Sequence, residues 1–268
     1  MIFQLNQIPS EARIKKELRG IIFGKNIKCH FCSSRSVYAY ENRYRCRKCR
    51  RSFSLLPGTY LKCLKLSWRS LWAILWCFCN RIPVKQAMSL ASLSEMVVRR
   101  AYDLFRANIP DECCILKEKV QLDEAFFFGK SRGAALMLAK QIGTRELAYA
   151  VHPTVNLNRG HASQFLFQNV EPRTRLYTDG GSIYKNITDW WPVKHQTDIH
   201  SKWEFSLTSE IEGMFGNFRT FIRRMYHHVT KEKFDEYVKE FCCRFSSPET
   251  FTSPNEFLAK TLKRVPFD

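Results

Sequence analysis

Asp123 in VQLDEAFFF, Asp179 in LYTDGGSIY and Glu212 in SEIEGMFGNFR are the residues whose type and setting could carry chemistry. Carboxylate oxygens are the ligands that Mg2+ and Mn2+ prefer. A few of them on rigid elements can hold two cations about 3.5–4 Å apart, which activate a water and stabilise a leaving oxygen in phosphodiester cleavage. The three acids stand out because the chain is basic. Its 268 residues carry 43 Lys and Arg against 25 Asp and Glu, a formal net charge of +18. Such a charge points to nucleic acid or an acidic membrane as partner. The basic residues recur beside aromatics in every segment, which favours nucleic acid over a merely solvated surface.

Local geometry separates the three acids from their neighbours. Glu124 follows Asp123 directly in a strand pattern, so it is expected on the opposite sheet face. Glu210 and Glu212 are two helical positions apart, about 200° around the axis, and cannot both face one metal. Beside an apolar stripe of Ile211, Phe215, Phe218, Ile222 and Met225, Glu212 shares a face with Gly216, Arg219 and Arg223. An acid followed by two arginines suits a scissile phosphate, and Glu210 has no such company. Asp179 ends a strand and is followed by Gly180-Gly181, a turn that leaves room for metal or substrate. Any one of these acids alone reads more simply as a surface salt bridge; the three contexts together point to a site with two Mg2+ or Mn2+ ions.

Two CxxC knuckles, Cys29/Cys32 and Cys46/Cys49, are separated by thirteen residues. Four thiolates at this spacing supply a closed tetrahedral Zn2+ site, structural rather than catalytic. His30 is not needed as a ligand. The interval is dense in basic residues, and Arg45, Arg47, Lys48 and Arg50 are candidates for phosphate contact or simply solvated. Cys63, Cys77, Cys79, Cys113, Cys114, Cys242 and Cys243 show no ligand spacing, and those within apolar helical patterns read as core.

The elements that position these groups follow from periodicity. SEARIKKELRGI predicts a helix with Ser10 as N-cap. SVYAY and NRYRC alternate as short strands of a zinc ribbon. From Ser67 to Asn108 the chain reads as helical, with Trp68, Leu71, Trp72 and Leu75 on one stripe. Ser92 and Glu95 are expected to form a capping box before EMVVRRAYDLFRAN. This helix is the second of a helix-turn-helix-like pair, its Val97, Ala101, Leu104 and Phe105 inward and Arg99, Arg100 and Arg106 outward. Groove contact and a plain basic helical bundle both fit that pattern. Beyond a linker at 110–118 the period becomes that of strands: VQLDEAFFF, ALMLAKQI and ELAYAVHP, then a helix near 162–169 and the strand RLYTD. Two helical patterns follow, EIEGMFGNFRTFIRRMY and KEKFDEYVKEFCCRF. This order predicts a mixed α/β sheet. The organisation expected is an N-terminal helix and zinc ribbon at 1–58, a helical DNA-binding segment at 59–110, a catalytic domain at 118–248 and a C-terminal tail at 249–268.

Hydrophobic residues make up 45% of the chain, enough for a buried core. The longest apolar stretch, LWAILWCFC, falls far short of the ~20 residues that span a bilayer, and no signal peptide is evident. A non-secreted protein is expected, with no membrane partner.

With these features in place, the chain resembles a DDE transposase of the Merlin type and its bacterial insertion-sequence relatives. The resemblance runs through CRKCRRSFSLLPGTYL, LSWRSLWAIL, VQLDEAFFFGK, YTDGGSIY, HSKWEFSLTSEIEGMFGNFRTFIRRMYHHV and FDEYVKEFCCRFS. It implies an RNase H-like sheet flanked by helices, with Asp123, Asp179 and Glu212 as the catalytic triad. His200, in His200-Ser201, is a further candidate near the site. The partners implied are double-stranded DNA, both terminal inverted repeats and target, and further copies of the chain. The compartment implied is the cytoplasm and nucleoid of a bacterium or the nucleus of a eukaryote. Departures are Ser209 where the family often has Asn, Arg244-Phe245-Ser246 in place of Arg-aromatic-Asn, and His30 in place of a Pro within the first CxxC. A domesticated, catalytically silent DNA-binding descendant is the alternative. A plain zinc-ribbon transcription factor leaves residues 120–245 unexplained.

Overall fold

The computed structural model describes residues 8–41, 43–111, 114–129, 133–198 and 209–262. Two compact units emerge, one built from residues 1–110 together with 248–268 and the other from 111–247. His200 and Ser201 lie outside the described residues.

The first unit opens with helix α1 (Glu11–Phe23), capped by Ser10, whose side chain accepts from the Arg13 amide. Strands β1 (Val37–Tyr40), β2 (Arg43–Cys46) and β3 (Ser52–Phe53) form an antiparallel ribbon. Helices α2 (Trp68–Cys79), α3 (Val84–Ala91) and α4 (Glu95–Ala107) follow. Phe78 on α2 sits at the centre of an aromatic cluster, 5.2 Å from Tyr102 and 5.5 Å from Phe105 between ring centroids.

Two expectations for this segment are corrected. Ser92 closes α3 in the left-handed conformation, and Ser94 takes the N-cap place of α4 without a side-chain bond. Glu95 is therefore the first helical residue, too early to reach back as a capping-box acid does; it pairs with Arg99 at 2.7 Å instead. The inward face of α4 is Val98, Ala101, Tyr102 and Phe105, rotated from the expected stripe. That rotation carries Arg106 inside, fully buried with its guanidinium 2.8 Å from Asp103. Arg99 and Arg100 are exposed, as expected.

The stretch read as a tail also differs. Helix α8 (Pro254–Thr261) buries Phe257 and Leu258 in the first unit. Phe257 meets Phe78 at 5.4 Å, and Tyr60 and Thr261 share a 2.8 Å hydrogen bond.

The second unit is a five-stranded sheet in the order β6-β5-β4-β7-β8. Strands β4 (Lys119–Phe127), β5 (Ala134–Gln141) and β6 (Leu147–His152) are antiparallel neighbours. Strands β7 (Arg175–Asp179) and β8 (Lys194–Asp198) run parallel to β4. Helix α5 (Arg159–Asn169) links β6 to β7, while α6 (Ser209–Met225) and α7 (Phe234–Ser246) follow the sheet. Three antiparallel strands followed by two parallel ones is the RNase H-like mixed arrangement. On one face, Leu122, Met137 and Ala139 pack with Phe165, Leu166 and Tyr184. On the other, Phe127 meets Phe218 of α6 and Phe234 of α7 at 5.5 and 4.8 Å. Each such side chain contributes about 1.5–3 kcal/mol when fully buried. The linker reads differently in space, since Leu116 is fully buried and bridges to Val170.

Candidate active site and metal centres

The sheet register assembles the acids. Lys119 stands opposite Arg175, Val120 opposite Leu176 and Gln121 opposite Tyr177. Two residues further on, the same register sets Asp123 level with Asp179 on the neighbouring parallel strand. Asp179 ends β7, so the two carboxylates meet where the strands part. Gly181 belongs to this place: its amide donates to Asp179 Oδ1 at 3.0 Å, and a Cβ there would stand 2.9 Å from the same oxygen.

Glu124, excluded on strand parity, is part of the cluster. Asp123, Glu124 and Asp179 each place a carboxylate oxygen within 4.8 Å of the others. Parity is obeyed, because Glu124 is paired with Met137 and faces the α5 side of the sheet. There the phenol of Tyr184 donates to Glu124 Oε2 at 2.6 Å. The β4–β7 pairing ends at Gln121 and Tyr177, and the acids of opposite parity converge just beyond it.

Glu212 is exposed in the first turn of α6 and is not among the three convergent acids, yet its negative charge helps to raise the Asp123 pKa. Gln121, two residues before Asp123 on the same face, accepts from the Ile211 amide at 2.9 Å and anchors the start of α6 to β4. Glu210 is drawn away: the Lys140 ammonium of β5 donates to its carboxylate. Arg219 lies 5.5 Å over the ring of Phe127, and Arg223 is exposed. Sequence reasoning did not find Gln121, Lys140 or Tyr184; each is an ordinary residue whose role comes from cross-strand contacts.

The electrostatics are those of crowded acids in a poorly solvated place. Burial, followed by the charges of Asp179, Glu124 and Glu212, pushes Asp123 up to about 7, against a hydrogen bond from the Glu124 amide. Burial also raises Glu124, while the Tyr184 bond holds it down. Oxygen donors gathered in this way fit a hard divalent cation, whose charge would offset the repulsion.

In the first unit, the sulfurs of Cys29, Cys32, Cys46 and Cys49 lie within 4.8 Å of one another. Cys29 is 3.6 Å from Cys49 and Cys32 is 3.6 Å from Cys46. Zn–S bonds of 2.3 Å in a tetrahedron put sulfurs ~3.8 Å apart, so the set fits zinc. Burial pushes the Cys29 thiol up to about 12, while the Cys49 amide leads the groups that lower Cys46 to about 6. His30 packs edge-on against Phe53 at 4.7 Å, an aromatic role under the knuckle. Arg45 and Arg47 lie over Tyr40 and Tyr38, and Lys48 and Arg50 are exposed. No helix among the described residues is long and apolar enough to cross a membrane.

Solved structures similar to the chain include one from the cryoEM structure of the simian T-cell lymphotropic virus intasome in complex with PP2A regulatory subunit B56 gamma. It is 11% identical over 73% of this chain and 76% of that one, with a TM-score of 0.38. The HTLV-2 integrase catalytic core domain in complex with magnesium, in its dimeric form, is 10% identical over 50% of this chain and 88% of that one, with a TM-score of 0.34. No curated protein matches by sequence. Residues 115–246 match the model of the ISXO2-like transposase domain. That match covers β4 through α7 with the whole acid cluster, and it supports a DDE transposase.

Proposed function

We propose that the chain is a metal-dependent DNA transposase of the Merlin type, cutting at terminal inverted repeats and joining the ends to target DNA. Water bonds to phosphorus at the element end as the P–O3′ bond breaks, and the freed 3′ hydroxyl then displaces a second 3′ oxygen in the target. Bound Mg2+ or Mn2+ supplies Lewis acidity to the phosphate and lowers the pKa of the attacking water. Asp123 and Asp179 would hold the cations as carboxylates. Glu124, fixed by Tyr184, would position them, and Glu212 would complete the coordination. Arg219 and Arg223 follow Glu212 along α6 toward phosphate. The ribbon, with one structural zinc, and the helical segment bearing Arg99 and Arg100 grip double-stranded DNA, and copies of the chain assemble on the two ends.

The observation that carries this reading is the level placement of Asp123 and Asp179, with Glu124 beside them, on a transposase-type domain. The test uses a duplex carrying the DNA that flanks the coding region, with Mn2+ or Mg2+. Asp123→Asn, Asp179→Asn and Glu212→Gln should each abolish cleavage with DNA binding kept, while Glu210→Gln should cut normally because Lys140 already engages that carboxylate. Full cleavage by Asp123→Asn would end the proposal. A wild-type chain that binds these ends and never cuts would be the silent descendant.

A further inference from the structure

We infer that the outer face of the zinc ribbon is a stacking platform for unpaired nucleotides, so that the ribbon takes frayed or single-stranded DNA rather than only gripping duplex phosphate. The inference rests on the proposal that the chain handles DNA. The ribbon register pairs Tyr38 with Arg45 and Tyr40 with Arg43, which puts these four side chains on one face. Tyr44 belongs to the other face and packs inward, 5.7 Å from Phe53 and 6.0 Å from Phe23.

On the outer face the rings are open to solvent: Tyr38 is 36% and Tyr40 44% exposed. Each is attended by a guanidinium, Arg47 at 5.3 Å from the Tyr38 centroid and Arg45 at 5.7 Å from that of Tyr40. A third pair lies at the first knuckle, where Arg51 stands 5.1 Å from the ring of Phe31, itself 45% exposed. From Lys28 to Phe53 inclusive there are eight Lys and Arg and one acid, Glu41.

A clamp for duplex phosphates requires the arginines but has no use for the rings. Phe31 in particular has no group that can bond a phosphate, and its exposed ring presents an apolar planar face. Bases are planar partners for such a face, and their own faces are accessible only when unpaired. Tyr38 and Tyr40, two residues apart along a strand, stand about 6.5–7 Å apart, a spacing that an extended single strand can follow. Aromatic rings alternating with cations are the pattern by which proteins hold single strands without reading sequence.

The test measures binding of the full-length, zinc-loaded chain to three probes of equal length: a single strand, a forked duplex with an unpaired arm and a blunt duplex. Tyr38→Leu, Tyr40→Leu and Phe31→Leu keep apolar volume and remove the stacking face, and unchanged zinc content reports an intact ribbon. Each variant is expected to weaken single-strand and forked binding about tenfold and blunt-duplex binding less than twofold. Equal weakening on all three probes, or none on any, overturns the platform while leaving a DNA-binding chain. A wild-type chain that binds none of the probes removes the transposase proposal as well.

Discussion

Tyr184, enclosed in the core of the second unit, donates its phenol to Glu124 Oε2 at 2.6 Å. Burial, and then the neighbouring carboxylate, raises the phenol well above its ordinary pKa, so Tyr184 acts as a permanent donor. Its bond is the largest of the interactions that hold Glu124 down against its own burial.

Tyr184→Phe should therefore leave Glu124 harder to ionise. Divalent cations bind the carboxylate, so Mn2+ affinity at pH 7 should fall about tenfold, the scale of lost outer-shell support. The loss should shrink as pH rises. Calorimetric titration with Mn2+ between pH 6 and 8.5 checks this, and an affinity profile superimposable on wild type would show that Tyr184 does not tune the acid.

Asp123 makes the metal-free fold sensitive to pH. Its pKa is about 7 folded against an ordinary 3.8, so folding favours the protonated acid. The associated stability is complete below about pH 4 and is lost as pH rises through 7. Asp123→Asn removes that slope and should be more stable than wild type above pH 7. A rise from 3.8 to about 7 corresponds to ~4 kcal/mol, and the residual solvent contact of Asp123 reduces this to about 1–3 kcal/mol. Denaturant melts at pH 4.5 and 8 in chelated buffer measure the difference. Adding Mn2+ should reverse the ranking at pH 8, because wild type then gains binding energy that the variant cannot.

The ribbon around the four cysteines has strands of four, four and two residues, too little structure to stand alone, and its thiols fit a zinc ion. Cys46→Ser should release the zinc and abolish ordered packing of Phe53 against Phe23 and His30. A zinc-selective chelator should do the same to wild type. Metal content and near-ultraviolet dichroism report the outcome. A ribbon that stays ordered without zinc would mean that the aromatic cluster alone holds it.

How far the sequence could go is clear from the acids. Asp123 and Asp179 were legible because each is a carboxylate inside or ending a strand pattern, and the sheet puts them level. Glu210 pairs with Lys140, which lies on a strand that no local pattern connects with α6. Glu124 does lie on the opposite face as parity requires, and its proximity to Asp123 and Asp179 could not be read from parity because it depends on where the β4–β7 pairing ends. Strand β8, KHQTD, was not read: it is a polar strand at the sheet's margin with no apolar alternation. Arg106 was placed outside because a charged residue near a helix end usually is; Asp103, three residues earlier, supplies the partner that lets it be buried. The order of strands and helices came through, while partners distant in sequence did not.

The clearest stability test lies in α7, where Glu240 and Arg244 are both buried and their side chains meet at 2.8 Å. The second carboxylate oxygen of Glu240 accepts from the Tyr226 phenol at 2.7 Å. Replacing Arg244 by Met takes the guanidinium from a buried carboxylate, a change that costs about 3–5 kcal/mol. Pairing that change with Glu240→Gln removes the charge while keeping an acceptor for Tyr226, so most of the loss should return. Urea midpoints of the single and double variants decide it. If Arg244→Met is as stable as the double variant, the pair is not holding α7, and the family resemblance at Arg244 reflects something other than this ion pair.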